Sequence, residues 1–455
     1  MKHIIRSFAI LILLSLALTG CKYKDDDIDN GDNWQKQNCP YGNYDYSLKP
    51  YFGYYSDLDV PIVYQNFAFF IGLSGKLVYV DLSDLKRDMS TYKRSNEEYE
   101  KNGKLGEKQY EVCNEEHTSV QSCPAAISFM VLDAYESAGS YPVFYSVGQD
   151  EDNTDPGSSH SVTYSLYKYD TGSNIRRKIC DTNGKPLFMM SYGDYIYLSE
   201  AKSDDKYHIE AINKKTAEKT TLNLDGKRIQ PIHADGDKVY FYEWLTGTLY
   251  VSDRKLAEYK PIFTPPEVYT VKVNEIGIGM FIDNGYIYFR ADYEKRQVPI
   301  PQTEPVQYIT PFVYNIKRVP LDNPGAESKL VAKDVFEGCD HGVYGNNFYF
   351  TAYDPKEQNN AYCYFNFNNG RLCKTDLTTM TTTDVLDDSG FFFEGVNNTY
   401  VNSRCILLCI RPVTEKGTFV TLGDAMIYLM LYDFETGQVY YISGGGGSAV
   451  VTPRN

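Results

Sequence analysis

Tryptophan is nearly absent from this chain: two residues, against 42 tyrosines and 23 phenylalanines, in a length of 455. A repeat whose signature needs one tryptophan per unit is therefore excluded. After the first twenty residues there is no stretch of 18 consecutive apolar side chains, so no later segment reads as a membrane-spanning helix. Lys and Arg number 45 against 60 Asp and Glu, and no basic stripe offsets the net charge of −15 locally. That balance repels phosphate backbones and excludes nucleic acid as a partner. There is no Cys-x-x-Cys pair, no Cys/His spacing of a zinc site and no Gly-x-Ser-x-Gly elbow, and no cofactor is implied. Helical periodicity is missing as well, which leaves short strands as the building element.

What is present begins with an export signal. Lys2 and Arg6 form a positive end, and Phe8 to Leu18 an apolar run broken only by Ser15. It ends in Leu18-Thr19-Gly20-Cys21, which resembles the lipobox of bacterial lipoproteins; that resemblance makes Cys21 the lipid attachment residue and the membrane a partner through that lipid. Residues 1–20 are then the signal peptide, and their removal takes the net charge from −15 to −17. Residues 21–57 read as a polar tether and an N-terminal segment that packs on the body or adds an edge strand. The expected location is the cell envelope, outside the cytoplasm, and the acidic run Asp25-Asp26-Asp27 is similar to surface-export signals of Bacteroidetes lipoproteins. The Asp25, Asp27, Asp29 spacing imitates a calcium loop, but Asn30 stands where the turn glycine is needed and Lys36 where the bidentate glutamate belongs.

Nine cysteines remain after Cys21, an odd number, so at least one is unpaired or pairs between chains. Cys363 and Cys373 flank the hairpin signal Asn368-Asn369-Gly370 and can face each other across it. Cys405 and Cys409 sit four apart on one expected strand, about 13 Å, too far for a mutual bond.

Laid against itself, the chain repeats one phrase. A short polar turn precedes a second strand, a loop follows, and a third strand ends in an acidic or amide residue. Expected second strands are 67–70, 143–145, 195–198, 239–242, 286–289, 348–350 and 405–409; third strands are 77–81, 166–170, 208–213, 249–253, 314–321, 372–376 and 427–433. Four short strands per unit and seven units predict an all-β fold, a single seven-bladed β-propeller of four-stranded antiparallel blades spanning 58–444, with 445–455 a flexible tail. Both faces of such a blade pack on neighbours, so its strands need not alternate apolar with polar. The phrases Tyr192-Gly193-Asp194-Tyr195-Ile196-Tyr197 and Asp283-Asn284-Gly285-Tyr286-Ile287-Tyr288-Phe289 resemble repeats of uncharacterised bacterial lipoproteins, whose propeller is related in pattern to the YWTD-like one of low-density-lipoprotein-receptor proteins. The Tyr-Trp-Thr-Asp signature itself is lacking, as are the Ser-x-Asp-x-Gly-x-x-Trp boxes of sialidases and Trp-Asp repeat endings. The resemblance implies a propeller and no established activity.

Chemistry, if any, is expected on a rim or at the channel mouth. Long inserts at 91–122, 147–163, 291–313 and 353–361 are candidates for flaps. Asp150, Glu151, Asp152 and Asp155 read as a charged hairpin tip, with calcium the alternative. His160 lies among Ser158, Ser159 and Ser161 without a triad, and His233 and His341 read as structural; no catalytic residue and no metal ligand is assigned. Tyr242, Trp244 and Arg290, at the ends of second strands, form the candidate ligand-binding patch, since aromatic faces and a guanidinium suit sugars or peptides. Two functions remain: a binding or scaffold module for glycan or protein ligands, or an envelope hydrolase or lyase acting on carbohydrate or peptide. The second demands two or three convergent titratable groups with displaced pKa values in an open pocket.

Overall fold

The computed structural model describes residues 51–54, 62–64, 67–71, 76–81, 86–87, 110–113, 115–118, 122–127, 130–137, 141–149, 163–202, 206–223, 227–266, 279–295, 298–300, 307–309, 312–336, 341–353, 370–385, 391–395, 405–412, 427–434 and 438–445. The expected signal peptide (residues 1–20), Cys21, Trp34, Cys39, Asp150, Glu151, Asp152 and Asp155, His160, Cys363 and residues 446–455 of the expected tail lie outside them. Among the described residues the regular elements are strands apart from the four-residue helix Ala134–Ser137, and the strand pairings are antiparallel.

All seven expected second–third strand hairpins are present as hydrogen-bonded ladders: Phe67–Ile71 with Leu77–Asp81, Val143–Gln149 with Tyr164–Asp170, Tyr195–Lys202 with Lys206–Asn213, Lys238–Glu243 with Leu249–Asp253, Tyr286–Lys295 with Phe312–Pro320, Asn347–Tyr353 with Gly370–Asp376, and Cys405–Pro412 with Ile427–Asp433. Each hairpin gains a strand on either side, giving successive meanders over 62–111, 130–181, 185–223, 229–263, 280–336, 341–384 and 391–445. The 280–336 and 341–384 meanders are joined into one eight-stranded sheet through a single bridge, Val335 with Ala352.

Local chemistry explains the hairpins. Gly193, Gly236 and Gly345 take φ of +52°, +55° and +57° at the first central position of two-residue turns, where the mirror-image turn that matches strand twist requires glycine; Asn284 and Gly285 supply two positive φ values for the other such turn. The residues that end third strands hold the next turn. Asp170 accepts from Gly172 N at 2.9 Å, Asn213 from Lys215 N at 2.9 Å, Asp253 from Lys255 N at 2.9 Å and Asp376 from Thr378 N at 2.8 Å.

Packing then sets the sheets side by side. In the 229–263 sheet Ala234, Val239, Phe241 and Tyr250 face Met190, Tyr197, Ile209 and Ala211 of the preceding sheet, while Ile232, Tyr240, Tyr242 and Leu249 face Met280, Ile282, Ile287 and Phe289 of the following one. The opposite face of that next meander, Phe281, Tyr288, Tyr314 and Ile316, meets Val343, Phe348 and Phe350. Phe281 and Tyr288 stack with centroids 4.7 Å apart, and Tyr288 lies 5.7 Å from Phe348. Phe69 touches Phe144 edge-on at 5.4 Å, and Tyr349 stacks on Phe434 at 4.0 Å, carrying the same contact to the first and last sheets. Residues Lys86–Arg87, next to the first meander, pair with Val439 and Tyr440 of the last. Successive four-stranded antiparallel meanders, packed face to face on their neighbours where side chains are described, are β-propeller architecture. Tyr51–Tyr54 pairs with Lys185–Tyr192, the first strand of its sheet, so the N-terminal segment does add an edge strand.

Candidate functional site

Of the expected patch, Tyr242 and Arg290 are buried, 9% and 8% exposed; Tyr242 lies between the 229–263 and 280–336 meanders, and Arg290 alternates with Phe289 onto the face of its strand that carries Tyr288 and Tyr314. The Arg290 guanidinium sits 4.6 Å over the Tyr314 ring, and burial pushes the Tyr242 hydroxyl up, with Arg290 opposing. Gly279 leaves room for that hydroxyl, since a Cβ there would lie 2.6 Å from it. Trp244 is half-buried in the turn after Glu243; its ring lies 5.2 Å from Phe188 and its indole N–H donates to Gln230 Oε1 at 3.1 Å. It also borders the core that contains Tyr242 and Phe289, with Leu245 next in sequence 50% exposed. His233 lies on a first strand with its ring 5.6 Å from Tyr240.

A tighter constellation lies elsewhere. Strand alternation puts His208 and Glu210 on one face of Lys206–Asn213, and the ladder pairs His208 with Glu200, adding that carboxylate to the same face. All three are sealed: Glu200 and Glu210 are 0% and His208 1% exposed. His208 Nε2 is 2.8 Å from Glu200 Oε2 and 3.9 Å from Glu210 Oε1. The turn before the sheet's first strand covers them, with the Asn183 N–H donating to Glu200 Oε2 at 3.1 Å and the Asn183 amide donating to Glu210 Oε1. Gly184 permits that approach, because a Cβ would meet the Ala201 carbonyl oxygen at 2.6 Å. Thr221 donates to Glu210 Oε1 at 3.3 Å, and Lys219 Nζ stands 3.7 Å from Glu210 Oε2. Glu200 Oε1, His208 Nδ1 and Glu210 Oε2 are buried without a hydrogen-bond partner. Burial raises the Glu200 pKa above the usual carboxylate range, the His208 hydrogen bond pulls the other way, and the Glu210 charge adds to the rise.

Two further polar groups flank the 130–181 sheet. Asp133 and Lys214 form an ion pair with side chains 1% and 2% exposed; Ser191 donates to the same carboxylate at 2.9 Å and the Gly193 carbonyl accepts from Lys214 at 2.5 Å, so this network is satisfied. Cys113, His117 and Cys123, which show no zinc spacing in sequence, come together with their donor atoms within 4.8 Å of one another. Cys113 Sγ is 3.1 Å from His117 Nε2 and accepts from Asn174 Nδ2 at 3.1 Å, while burial pushes the Cys123 thiol up.

The spacing His208-x-Glu210 on a third strand puts two polar groups on one face. Glu200 joins them through register alone, and no local signal points to it.

No protein-family model matches the chain, and no curated protein matches it. Among solved structures it is similar to a puromycin-hydrolysing peptidase of Mycobacterium tuberculosis, at 9% identity and TM-score 0.43, over 82% of this chain and 49% of that one. It is also similar to a chain of the nidogen/laminin complex, at 9% identity and TM-score 0.32 over 62% and 90%, and to the β-propeller domain of the trilobed protease from Pyrococcus furiosus, at 11% identity and TM-score 0.37 over 68% and 92%. The chain thus spans about half the length of the mycobacterial peptidase. At these values the likenesses assign neither ligand nor reaction.

Proposed function

We propose that this protein is a lipid-anchored, extracytoplasmic, seven-bladed β-propeller that works as a binding or scaffold module for glycan or protein ligands. The supporting observation is that the tightest cluster of titratable groups among the described residues is sealed. A hydrolase or lyase needs convergent acid and base groups that a substrate can reach, whereas Glu200, His208 and Glu210 converge at 0–1% exposure beneath Asn183. In this reading Cys21 carries the lipid, the polar segment after it gives reach from the membrane, and the turn bearing Trp244, backed by Tyr242 and Arg290, is the recognition patch. A half-buried indole beside the exposed Leu245 at a turn suits the apolar face of a sugar ring or a peptide side chain.

Because Trp244 is one of only two tryptophans, binding can be read directly. Residues 21–455 with Cys21→Ser are applied to a glycan array and to cross-linked envelope extract, and each hit is titrated by tryptophan fluorescence. The reading expects a saturable change that Trp244→Phe removes. Catalytic turnover of a polysaccharide or peptide by the same preparation would overturn it in favour of the hydrolase or lyase. Metabolic labelling with a radioactive fatty acid, lost in Cys21→Ser, checks the anchor.

A further inference from the structure

The Glu200–His208–Glu210 cluster poses an electrostatic problem that the described residues solve only in part. Two carboxylates and an imidazole are enclosed at 0–1% exposure, and one polar atom of each has no partner. Leaving a buried donor or acceptor unsatisfied costs about 1–3 kcal/mol, more for a charged group. Such triplets persist where something compensates them. Lys219 is an incomplete remedy: its ammonium donates to the Asp181 carbonyl and remains 3.7 Å from Glu210, and it stays 24% exposed.

We propose that Glu200, His208 and Glu210 form a binding site for one divalent first-row transition-metal ion of the zinc or manganese class, held between the 130–181 and 185–223 sheets. The donor atoms lie within 4.8 Å of one another. The 2.8 Å between His208 Nε2 and Glu200 Oε2 approximates the ~2.9–3.4 Å separating adjacent donors around an ion with bonds of 2.0–2.1 Å. Glu210 Oε1, 3.9 Å from the imidazole, completes the set with a small inward shift. One imidazole with two carboxylates suits zinc, manganese or iron rather than calcium or magnesium, which prefer six or more oxygens. A dication also balances two carboxylates. His208 Nδ1, the nitrogen that would not ligate, is buried without a hydrogen-bond partner, so the ion would engage the imidazole through Nε2 alone. The residue that covers both carboxylates, Asn183, is itself exposed and holds them through its backbone N–H and its side-chain amide, so the path to the site runs past it. The ion would clamp second and third strands of one sheet and, through Asn183, the connection from the sheet before it.

The test uses residues 21–455 with Cys21→Ser, freed of metal by chelator and dialysed against zinc or manganese. Bound ion is counted by mass spectrometry and thermal unfolding is followed in parallel. We expect one equivalent per chain and a higher melting temperature with ion. Glu210→Gln should weaken binding by more than about tenfold, and Lys219→Gln, which removes the competing cation, should tighten it. The pair Cys113→Ser with Cys123→Ser should leave that equivalent in place. If Glu210→Gln fails to fold, X-ray absorption of the cobalt-loaded parent decides: a first shell of nitrogen and oxygen supports the site, and sulfur ligands overturn it. No bound ion in the parent, or an equivalent lost only in the cysteine variant, also overturns it.

Discussion

The two faces of the 185–223 sheet are made by the same strands yet hold to their neighbours by opposite chemistry. Tyr197, Ile209 and Ala211 point toward the following sheet and join an apolar cluster with Val239, Phe241 and Tyr250. One residue along each strand, Glu200, His208 and Glu210 turn toward the preceding sheet, where Lys214 also meets Asp133. The apolar face gains from area removed from water and tolerates repacking. The polar face gains only where each group finds a partner, so it specifies one arrangement and is intolerant of single deletions. A propeller can therefore be assembled from either kind of contact, and the polar one is where a ligand or ion has room to matter.

Four measurements sharpen or break this contrast. The largest effect is expected on the apolar face: Phe241→Ala, which removes a side chain 0% exposed and stacked at 5.7 Å on Tyr250, should cost about 3–5 kcal/mol in urea unfolding. A loss below about 1 kcal/mol would mean that the interface is not closely packed. On the polar face Lys214→Ala should cost about 3 kcal/mol, because it strands Asp133 with its carboxylate buried. Adding Asp133→Asn, which keeps an acceptor for the Glu136 N–H bond, should recover a good part of that loss. Simple additivity of the two changes would break the ion-pair account.

Smaller effects belong to the turns. Asp253→Ala removes acceptors for Lys255 N at 2.9 Å and Ala257 N at 3.0 Å and should cost about 1 kcal/mol by the same unfolding assay. The exposed counterpart of the buried pair is Lys317 with Asp292, 27% and 42% exposed. Its lysine hydrogen bond, then Asn315, holds the Asp292 carboxyl below the ordinary 3.8. The unfolded chain therefore binds more protons there as pH falls from about 3.8, so this contribution is full above that value and is lost below it. Asp292→Asn should flatten the acid limb of stability against pH by under about 0.5 kcal/mol, as expected for a screened pair. A change as large as that in Lys214→Ala would erase the distinction between enclosed and exposed pairs.

The strand register of this molecule was unusually readable. Leu77–Asp81, Leu249–Asp253 and Ile427–Asp433 begin and end where the repeat placed them, because glycine turns and terminal Asp residues mark hairpins through contacts a few residues long. Other strands run further than expected; Tyr286–Lys295 extends six residues beyond Phe289, since neighbouring strands continue the ladder past the apolar stretch. The candidate site was far less legible. Asp133 and Lys214 are 81 residues apart, and Cys113, His117 and Cys123 match no metal spacing because a loop, not a motif, gathers them. Tyr242 and Arg290, candidates for recognition from their place at the ends of second strands, are 9% and 8% exposed, because strand ends in stacked sheets are covered by neighbouring side chains.

Hydrophobic periodicity, glycine at turns and acids at strand ends were enough to specify antiparallel hairpins, since those depend on backbone sterics and bonds between near neighbours. Which strand faces which neighbour is another matter. Glu200 meets His208 by cross-strand pairing, and both reach Asn183 only after the connection from the previous sheet folds over them. Charge placed on one side of a strand costs nothing in the extended chain; its partner, and so its chemistry, is chosen when two sheets close and water leaves.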